Sequence, residues 1–322
     1  MNNEIYDVII IGAGPAGYAA GIYAARREMK ALIIGKESGG QLIWAADIEN
    51  YPGFKQINNT DLIKKMEEHV KSLGVEIKSA EVSKIEKKED DSFILYTNKD
   101  QYEAKTVIIA IGLTPRRLAI PGEEEFSGKG VSYCANCDGP IFRNKTIAVV
   151  GGGNAAMDAA EIMSKIAKKV YLIHRQEKFR AFAASLEEAT ERGNVQFILN
   201  SEVKEIIGSS GKVEKLKIFN NKTNEESELA VDGIFIEVGR IANTDLVKGL
   251  AERNERMEIL VNEKCMTTLP GLFAAGDVTQ VPFKQITIAC GQGTIAALAA
   301  YQYLQLKQGK SGVILDRSVH KK

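Results

Sequence analysis

"YDVIIIGAGPAGYAAGIYAARR", residues 6–27, opens with an apolar β-branched run, Val8 to Ile11, and passes through Gly12-x-Gly14-x-x-Gly17 into a helix of small residues ending in Arg26 and Arg27. Strand, glycine turn and helix in that order form the entry to a dinucleotide-binding βαβ unit. The three glycines do different things. Gly12 permits the tight turn, Gly14 lets backbone approach a pyrophosphate, and Gly17 lets the helix lie close on the strand. The N–H groups at the helix N-terminus then face the phosphates. A second strand, "ALII" at 31–34, is followed by Glu37, 20 residues after Gly17, where a carboxylate accepts from ribose hydroxyls. Val8 to Ala25 is also 18 residues without charge, long enough to suggest a membrane span or signal peptide. Four glycines and Pro15 interrupt it, and the acidic "MNNEIYD" precedes it where a signal peptide is basic.

At 322 residues the chain has length for about two domains. Lysine plus arginine equals aspartate plus glutamate at 42 each, so no global field recruits nucleic acid or an anionic membrane. Four cysteines are too few for a disulfide scaffold, and with no export signal the expected compartment is the cytoplasm.

"KTIAVVGGGNAAMDAAEIMSKIAKKVYLIHRQEKFRA", residues 145–181, repeats the opening pattern with Gly151-x-Gly153-x-x-Ala156 between a strand and a helix. After its second strand, Val170 to Ile173, His174 and Arg175 stand where an acid would be, with Lys178 and Arg180 close behind. A cationic cluster there suits a 2′-phosphate, so the first loop reads as a site for FAD or NAD and the second as a site for NADP. Two dinucleotide sites in one chain imply electron transfer between cofactors, one of which can be a flavin.

Between the loops lies "YCANCDGP", residues 133–140. C-x-x-C is a common zinc half-site, but Cys265, Cys290 and the three scattered histidines supply no second half, so no metal is expected. A redox dithiol of Cys134 and Cys137 is the reading that remains, with Asp138 behind it. The closing segment, "LPGLFAAGDVTQVPFKQITIACGQGTIAALAAYQYL", predicts a strand from Leu272 to Ala275, then Gly276-Asp277, a loop, and a helix from about Lys284 to Leu304. Asp277 at a strand end can accept from a ribityl hydroxyl, and the helix N-terminus near Gln285 and Ile286 suits the negative charge of a reduced flavin. The small residues Ala289, Gly291, Gly293, Ala296 and Ala297 allow close helix packing and carry no assigned function.

"GAGPAG", "GGQL", "IENYPGF", "AIG", "CANCDG", "GGGNAA", "HRQEKFRA" and "AAGDV", in that order over nearly the whole chain, resemble the low-molecular-weight, bacterial and archaeal type of thioredoxin reductase. The resemblance implies an α/β protein of two Rossmann-like, three-layer dinucleotide-binding domains, the second inserted in the first. The FAD domain would comprise 1–113 and 242–322, and the NADPH domain, carrying the dithiol, 114–241. FAD would be held by Gly12, Gly14, Pro15, Ala16, Gly17, Gly35, Lys36, Glu37, Gly40, Gln41, Leu42, Asn50, Val82, Ala110, Gly276, Asp277, Lys284, Gln285 and Ile286. NADPH would be held by Gly151, Gly153, Asn154, Ala155, His174, Arg175, Gln176 and Arg180.

The implied reaction runs from NADPH to FAD, to the Cys134–Cys137 disulfide, and on to a thioredoxin disulfide. Cys137 would face the flavin and form the thiolate charge-transfer species, Cys134 would attack the partner, and Asp138 would shuttle the proton. The family is homodimeric, and its NADPH domain turns on hinges expected near Thr114-Pro115 and Gly239 to Asn243. Three residues depart from the family pattern: Gln176 replaces a second arginine, Lys284 replaces arginine, and Ala242 replaces proline. The first departure keeps open NADH, ferredoxin or a deazaflavin as donor. A flavoprotein serving ferredoxin or flavodoxin would lack the cysteine pair, a peroxide-defence reductase would carry an added N-terminal domain, and an inactive nucleotide-binding protein would be colourless.

Overall fold

The computed structural model describes residues 5–44, 47–48, 50–179 and 193–312; Arg180, tail residues 313–322 and the side chains of Trp44, Asp47, Asn136 and Cys137 fall outside the description. Backbone contacts group Met1–Ile43, Ile48–Thr114 and Ala242–Lys322 into one unit, and Trp44–Asp47 with Pro115–Ile241 into a second.

In the first unit the apolar run forms β1 (Ile5–Ala13), followed by α1 (Pro15–Arg26), β2 (Ala31–Ser38), α2 (Asn59–Ser72), β3 (Glu76–Ser79), β4 (Val82–Lys87), β5 (Phe93–Thr97) and β6 (Gln101–Ile109). Strands β3, β2, β1 and β6 lie side by side and parallel. Both faces of such a sheet are covered, which is why β1 is apolar at successive positions. Val8 and Ile10 pack on the helix side with Ala20 and Ala24 of α1, whereas Ile9 and Ile11 face the opposite layer with Phe93 and Leu95. The outer edge of β6 is shared, its first half pairing antiparallel with β5 and its second half parallel with the returning strand Leu272–Ala274. The C-terminal helix, Ile286–Lys307, then lies on α1. That contact is backbone-close, because a Cβ on Gly293 would sit 2.1 Å from the Ala16 carbonyl oxygen.

The second unit is built from β7 (Val131–Ser132), the single-turn helix α3 (Ala135–Asp138), β8 (Thr146–Val150), α4 (Asn154–Ser164), β9 (Lys169–Ile173), β10 (Val195–Ile198), β11 (Ser201–Ser209), β12 (Lys212–Asn220), β13 (Glu225–Ala230) and β14 (Gly233–Ile236). Its main sheet is parallel in the order β7-β14-β8-β9-β10, and β11-β12-β13 form an antiparallel meander. Ile147 and Val149 face the α4 layer while Ala148 and Val150 face the meander layer. Each unit is thus a parallel sheet with helices on one side and a smaller β layer on the other, the Rossmann-like, three-layer arrangement expected. The Arg116 N–H donates to the Gly239 carbonyl at 2.9 Å, holding together the two stretches by which the chain enters and leaves this unit.

Two glycine substitutions separate packing from propensity. A Cβ on Gly17 would lie 1.9 Å from the Gly12 carbonyl oxygen, backbone against backbone, so Gly17→Ala should cost about 3 kcal/mol or prevent the first unit from folding. Gly291, inside the C-terminal helix, has nothing within 4 Å of its added Cβ, so Gly291→Ala should stabilise by up to about 1 kcal/mol. Denaturant unfolding of the two variants measures both.

Candidate functional site

The first unit gathers its fingerprint residues at the C-terminal edge of β1. Gly12 has φ +118° and presses on the end of β6, where an added Cβ would meet the Ala110 carbonyl oxygen at 2.2 Å. Gly14 caps α1 without a side-chain partner, Pro15 occupies the first turn, and no acidic residue follows in that turn, so the helix N–H groups remain available to an anion. Gly40, with φ +55°, backs onto Gly14, its added Cβ lying 3.2 Å from the Gly14 Cα. A backbone cradle that side chains would narrow fits a dinucleotide. Glu37 at the end of β2 is exposed and makes no hydrogen bond or ion pair among the described residues. Lys36 pairs instead with Glu81 at 3.2 Å, and Val82 sits on β4 just past Ala80, whose N–H donates to the Gly35 carbonyl at 3.2 Å.

The closing segment meets this cradle through polar side chains. Gln41 Nε2 donates to Asp277 Oδ2 at 2.7 Å, and Asn50 Nδ2 donates to Gln285 Oε1 at 3.2 Å. Leu42 is buried, and its carbonyl accepts from Asn59 Nδ2 at 3.2 Å. Gly276 has φ +80° with its Cβ position 3.0 Å from the Ala16 Cβ. Lys284 is held within the protein. Its ammonium donates to the carbonyls of Asp277 (3.0 Å) and Thr279 (2.6 Å) and pairs with Glu258 (2.9 Å), which occupies all three protons. The charge straps the loop that presents Asp277. The residue sequence reasoning missed is Gln292, whose Oε1 accepts from Gly276 N–H (2.8 Å) and Thr279 Oγ1 (3.1 Å). A lone amide among the small residues of "ACGQGTIAALAA" was its only signal.

The second unit repeats the geometry with its own constraints. A Cβ on Gly151 would lie 2.3 Å from the Glu237 carbonyl oxygen, across the crevice between β8 and β14 where the strand order reverses. Gly153 caps α4 with no side-chain partner and open space around its Cβ position, and Asn154 and Ala155 are exposed beside it. His174 is not a surface cation. It is 5% exposed, its ring stacks on Phe179 at 5.1 Å, Nε2 contacts the Lys178 carbonyl at 3.2 Å, and a Cβ on Gly152 would fall 2.0 Å from its Cε1. The ring fills the space that Gly152 leaves, so the cationic cluster loses that member. Arg175 and Gln176 are exposed at the end of β9. Glu237 lies at the crevice, where burial pushes its carboxyl up to about 7 against the opposing charge of Arg240, with Asp158 adding to the rise.

Cys134 is disulfide-bonded, whereas Cys265 and Cys290 are free thiols. Cys134 enters α3, its N–H donating to Ser132 Oγ at 3.1 Å and its carbonyl accepting from the Asp138 N–H at 3.2 Å, so Asp138 follows it by one helical turn. The preceding residue is held from below. Glu123, 2% exposed, accepts from Leu118 N–H (3.1 Å), Ala119 N–H (2.6 Å) and the Tyr133 hydroxyl (2.7 Å). Burial, and then this hydrogen bond, raise the Tyr133 phenol above its ordinary value, which keeps it a donor. Nothing in "PGEEEFSG" distinguishes Glu123 from its neighbours Glu124 and Glu125.

Two glycine cradles, each at the C-terminal edge of a parallel sheet, with the disulfide-bonded Cys134 in the second unit, define a nucleotide-dependent disulfide oxidoreductase. The chain belongs to the pyridine nucleotide-disulphide oxidoreductase family, whose model matches residues 6–293. Within it, the chain is similar to the low-molecular-weight thioredoxin reductases. It is 39% identical over 303 residues to the thioredoxin reductase of Bacillus subtilis, covering 94% of this chain and 96% of that one. The Lactococcus lactis thioredoxin reductase structure aligns with TM-score 0.81 and 42% identity, covering 93% of this chain and 99% of that one. An alkyl hydroperoxide reductase component from Pseudomonas putida is 40% identical over 304 residues, 94% of this chain, which spans only 58% of that relative's length. The family implies a flavin and a nicotinamide nucleotide.

Glu237 gives stability a pH dependence. Between about 4.5, where the unfolded carboxyl ionises, and about 7, the folded protein retains a proton that the unfolded chain has lost, so stability falls as pH rises through that window. Glu237→Gln should therefore be more stable than the parent at pH 8 by up to about 3 kcal/mol, with the two converging below pH 4.5. Unfolding midpoints across pH 4 to 8 check this. Glu123→Ala strands three donors and should cost about 3 kcal/mol in the same assay, whereas Tyr133→Phe should cost about 1 kcal/mol.

Proposed function

We propose that this protein is a thioredoxin-disulfide reductase that passes electrons from NADPH through FAD to a Cys134–Cys137 disulfide and on to thioredoxin. The observation that carries the reading is that Cys134 is already in a disulfide while Cys265 and Cys290 are free, in a chain of four cysteines. The 39% identity to a thioredoxin reductase along 94% of this chain supports thioredoxin as the partner. A cytoplasmic homodimer is part of the proposal, and no helix among the described residues is long and apolar enough to cross a membrane.

FAD would lie along Gly12 to Gly17, Glu37, Gly40, Gln41 and the Asp277 loop, and NADPH along Gly151 to Ala155 with its 2′-phosphate on Arg175. When bound, the pair supplies hydride transfer from nicotinamide to isoalloxazine and a reductant for a disulfide. The protein's residues handle the sulfur chemistry. Each disulfide reduced takes two electrons and two protons. Reduced Cys134 attacks one sulfur of the thioredoxin disulfide as a thiolate, and the mixed disulfide resolves when Cys137 displaces the second thioredoxin thiolate. Asp138, one turn along α3, would be the residue that hands a proton to a departing thiolate.

Arg175, exposed at the end of β9, would be a cation for the 2′-phosphate, with Lys178 exposed nearby, and Gln176 beside it donates no charge. Burial of His174 and the presence of Gln176 favour a second reading, in which the fold and dithiol are kept but the donor is NADH, ferredoxin or a deazaflavin.

Steady-state disulfide reduction with NADPH, NADH and reduced ferredoxin separates the donors, and NADPH is expected to support turnover. Arg175→Ala should then raise KM for NADPH at least about tenfold and leave KM for NADH unchanged, consistent with losing one charge-assisted phosphate contact. Cys134→Ser should abolish thioredoxin reduction while flavin bleaching by NADPH persists. Activity that survives Cys134→Ser would remove the dithiol from the pathway.

A further inference from the structure

Tyr18 follows the last fingerprint glycine and is 1% exposed, yet its hydroxyl lies 2.6 Å from Ser38 Oγ. Ser38 Oγ donates its one proton to Glu67 Oε2 at 2.6 Å, so Tyr18 is the donor to Ser38. Lys71, one turn further along α2, donates to the other oxygen of Glu67. The hydrogen bond from Lys71, then that from Ser38, holds the Glu67 carboxyl below its ordinary value, and burial raises the Tyr18 phenol, so the chain of donors keeps one direction. Three elements, α1, β2 and α2, are thereby tied at one point.

That point lies where the sheet stops holding the chain. Pairing of β2 with β1 runs from Val8↔Ala31 to Ile11↔Ile34, then shifts before Ala13↔Ser38. Pairing of β2 with β3 ends at Gly35↔Ser79. Lys36 and Glu37 therefore sit in a stretch that no strand pairing fixes, and Ser38 is its downstream anchor. Gly39, next in line, donates to the Ala13 carbonyl at 2.7 Å, and Gly40 backs onto Gly14.

We infer that Tyr18, Ser38 and Glu67 form a positioning relay that holds Glu37 and the Gly39–Gly40 turn for the adenosine half of the flavin dinucleotide, and so sets preference for FAD over flavins that lack that half. This rests on the first cradle being the flavin site. The relay touches neither sulfur nor the isoalloxazine-side residues Asp277 and Gln285, so its loss should weaken adenosine recognition and leave the flavin ring's contacts intact.

The test titrates the full-length, deflavinated protein with FAD and with FMN, following quenching of flavin fluorescence. Tyr18→Phe, Ser38→Ala and Glu67→Gln should each weaken FAD five- to tenfold and change FMN affinity less than twofold, with Ser38→Thr restoring FAD affinity through its hydroxyl. Unchanged FAD affinity in all three, or equal losses for FAD and FMN, would overturn the relay, equal losses marking a merely structural role. Failure of the parent protein to take up either flavin would overturn the reading of the first cradle, and the relay with it.

Discussion

Backbone-to-backbone proximity at the glycine turns is the constraint on which the rest of the molecule depends. At Gly12, Gly17 and Gly151 a methyl group would land 2.3 Å or less from a carbonyl oxygen, so strand, turn and helix are in contact with no side chain between them. Only then does the first turn of each helix point its unbonded N–H groups over the strand edge. A cradle formed this way is rigid without a ligand, because rearranging it would mean moving main chain in a close-packed sheet.

The two units use that constraint differently around the turn. In the first, a network of amides and carboxylates, Gln41 with Asp277 and Asn50 with Gln285, joins segments more than 230 positions apart. In the second, an imidazole is packed under the loop, and a carboxyl of unusually weak acidity stands at the crevice. The first unit is therefore the more fully cross-tied around its glycine turn. The second exposes an open helix end, with Arg175 at the end of β9.

Much of this was legible in the residues. The glycine spacings, the β-branched strands, the acid at the end of β2 and the paired cysteines each reflect a local rule, and a local rule can be read from neighbours in the chain. What could not be read depended on partners distant in sequence. Lys284 reads as a flavin-side residue, and only the fold brings Glu258 and two carbonyls around its ammonium. His174 reads as part of a charged patch until Gly152 is seen to make room for its ring. Glu123 is one acid among three, and only the fold brings it to Tyr133. Side-chain polarity says that a hydrogen bond will be made; it does not say with whom.

The carboxylate of Glu123 has an evolutionary corollary. Because it serves Leu118, Ala119 and Tyr133 together, positions 123 and 133 are coupled unequally: a descendant could exchange the phenol for a benzyl ring and still need the acid, but one that discarded the acid would have to rebuild the 118–119 bend at the same time. Drift at 133 is permitted with the acid retained, while drift at 123 is blocked unless several changes arrive at once. The residue next to Cys134 is thus the freer of the two, and the remote one the more tightly held.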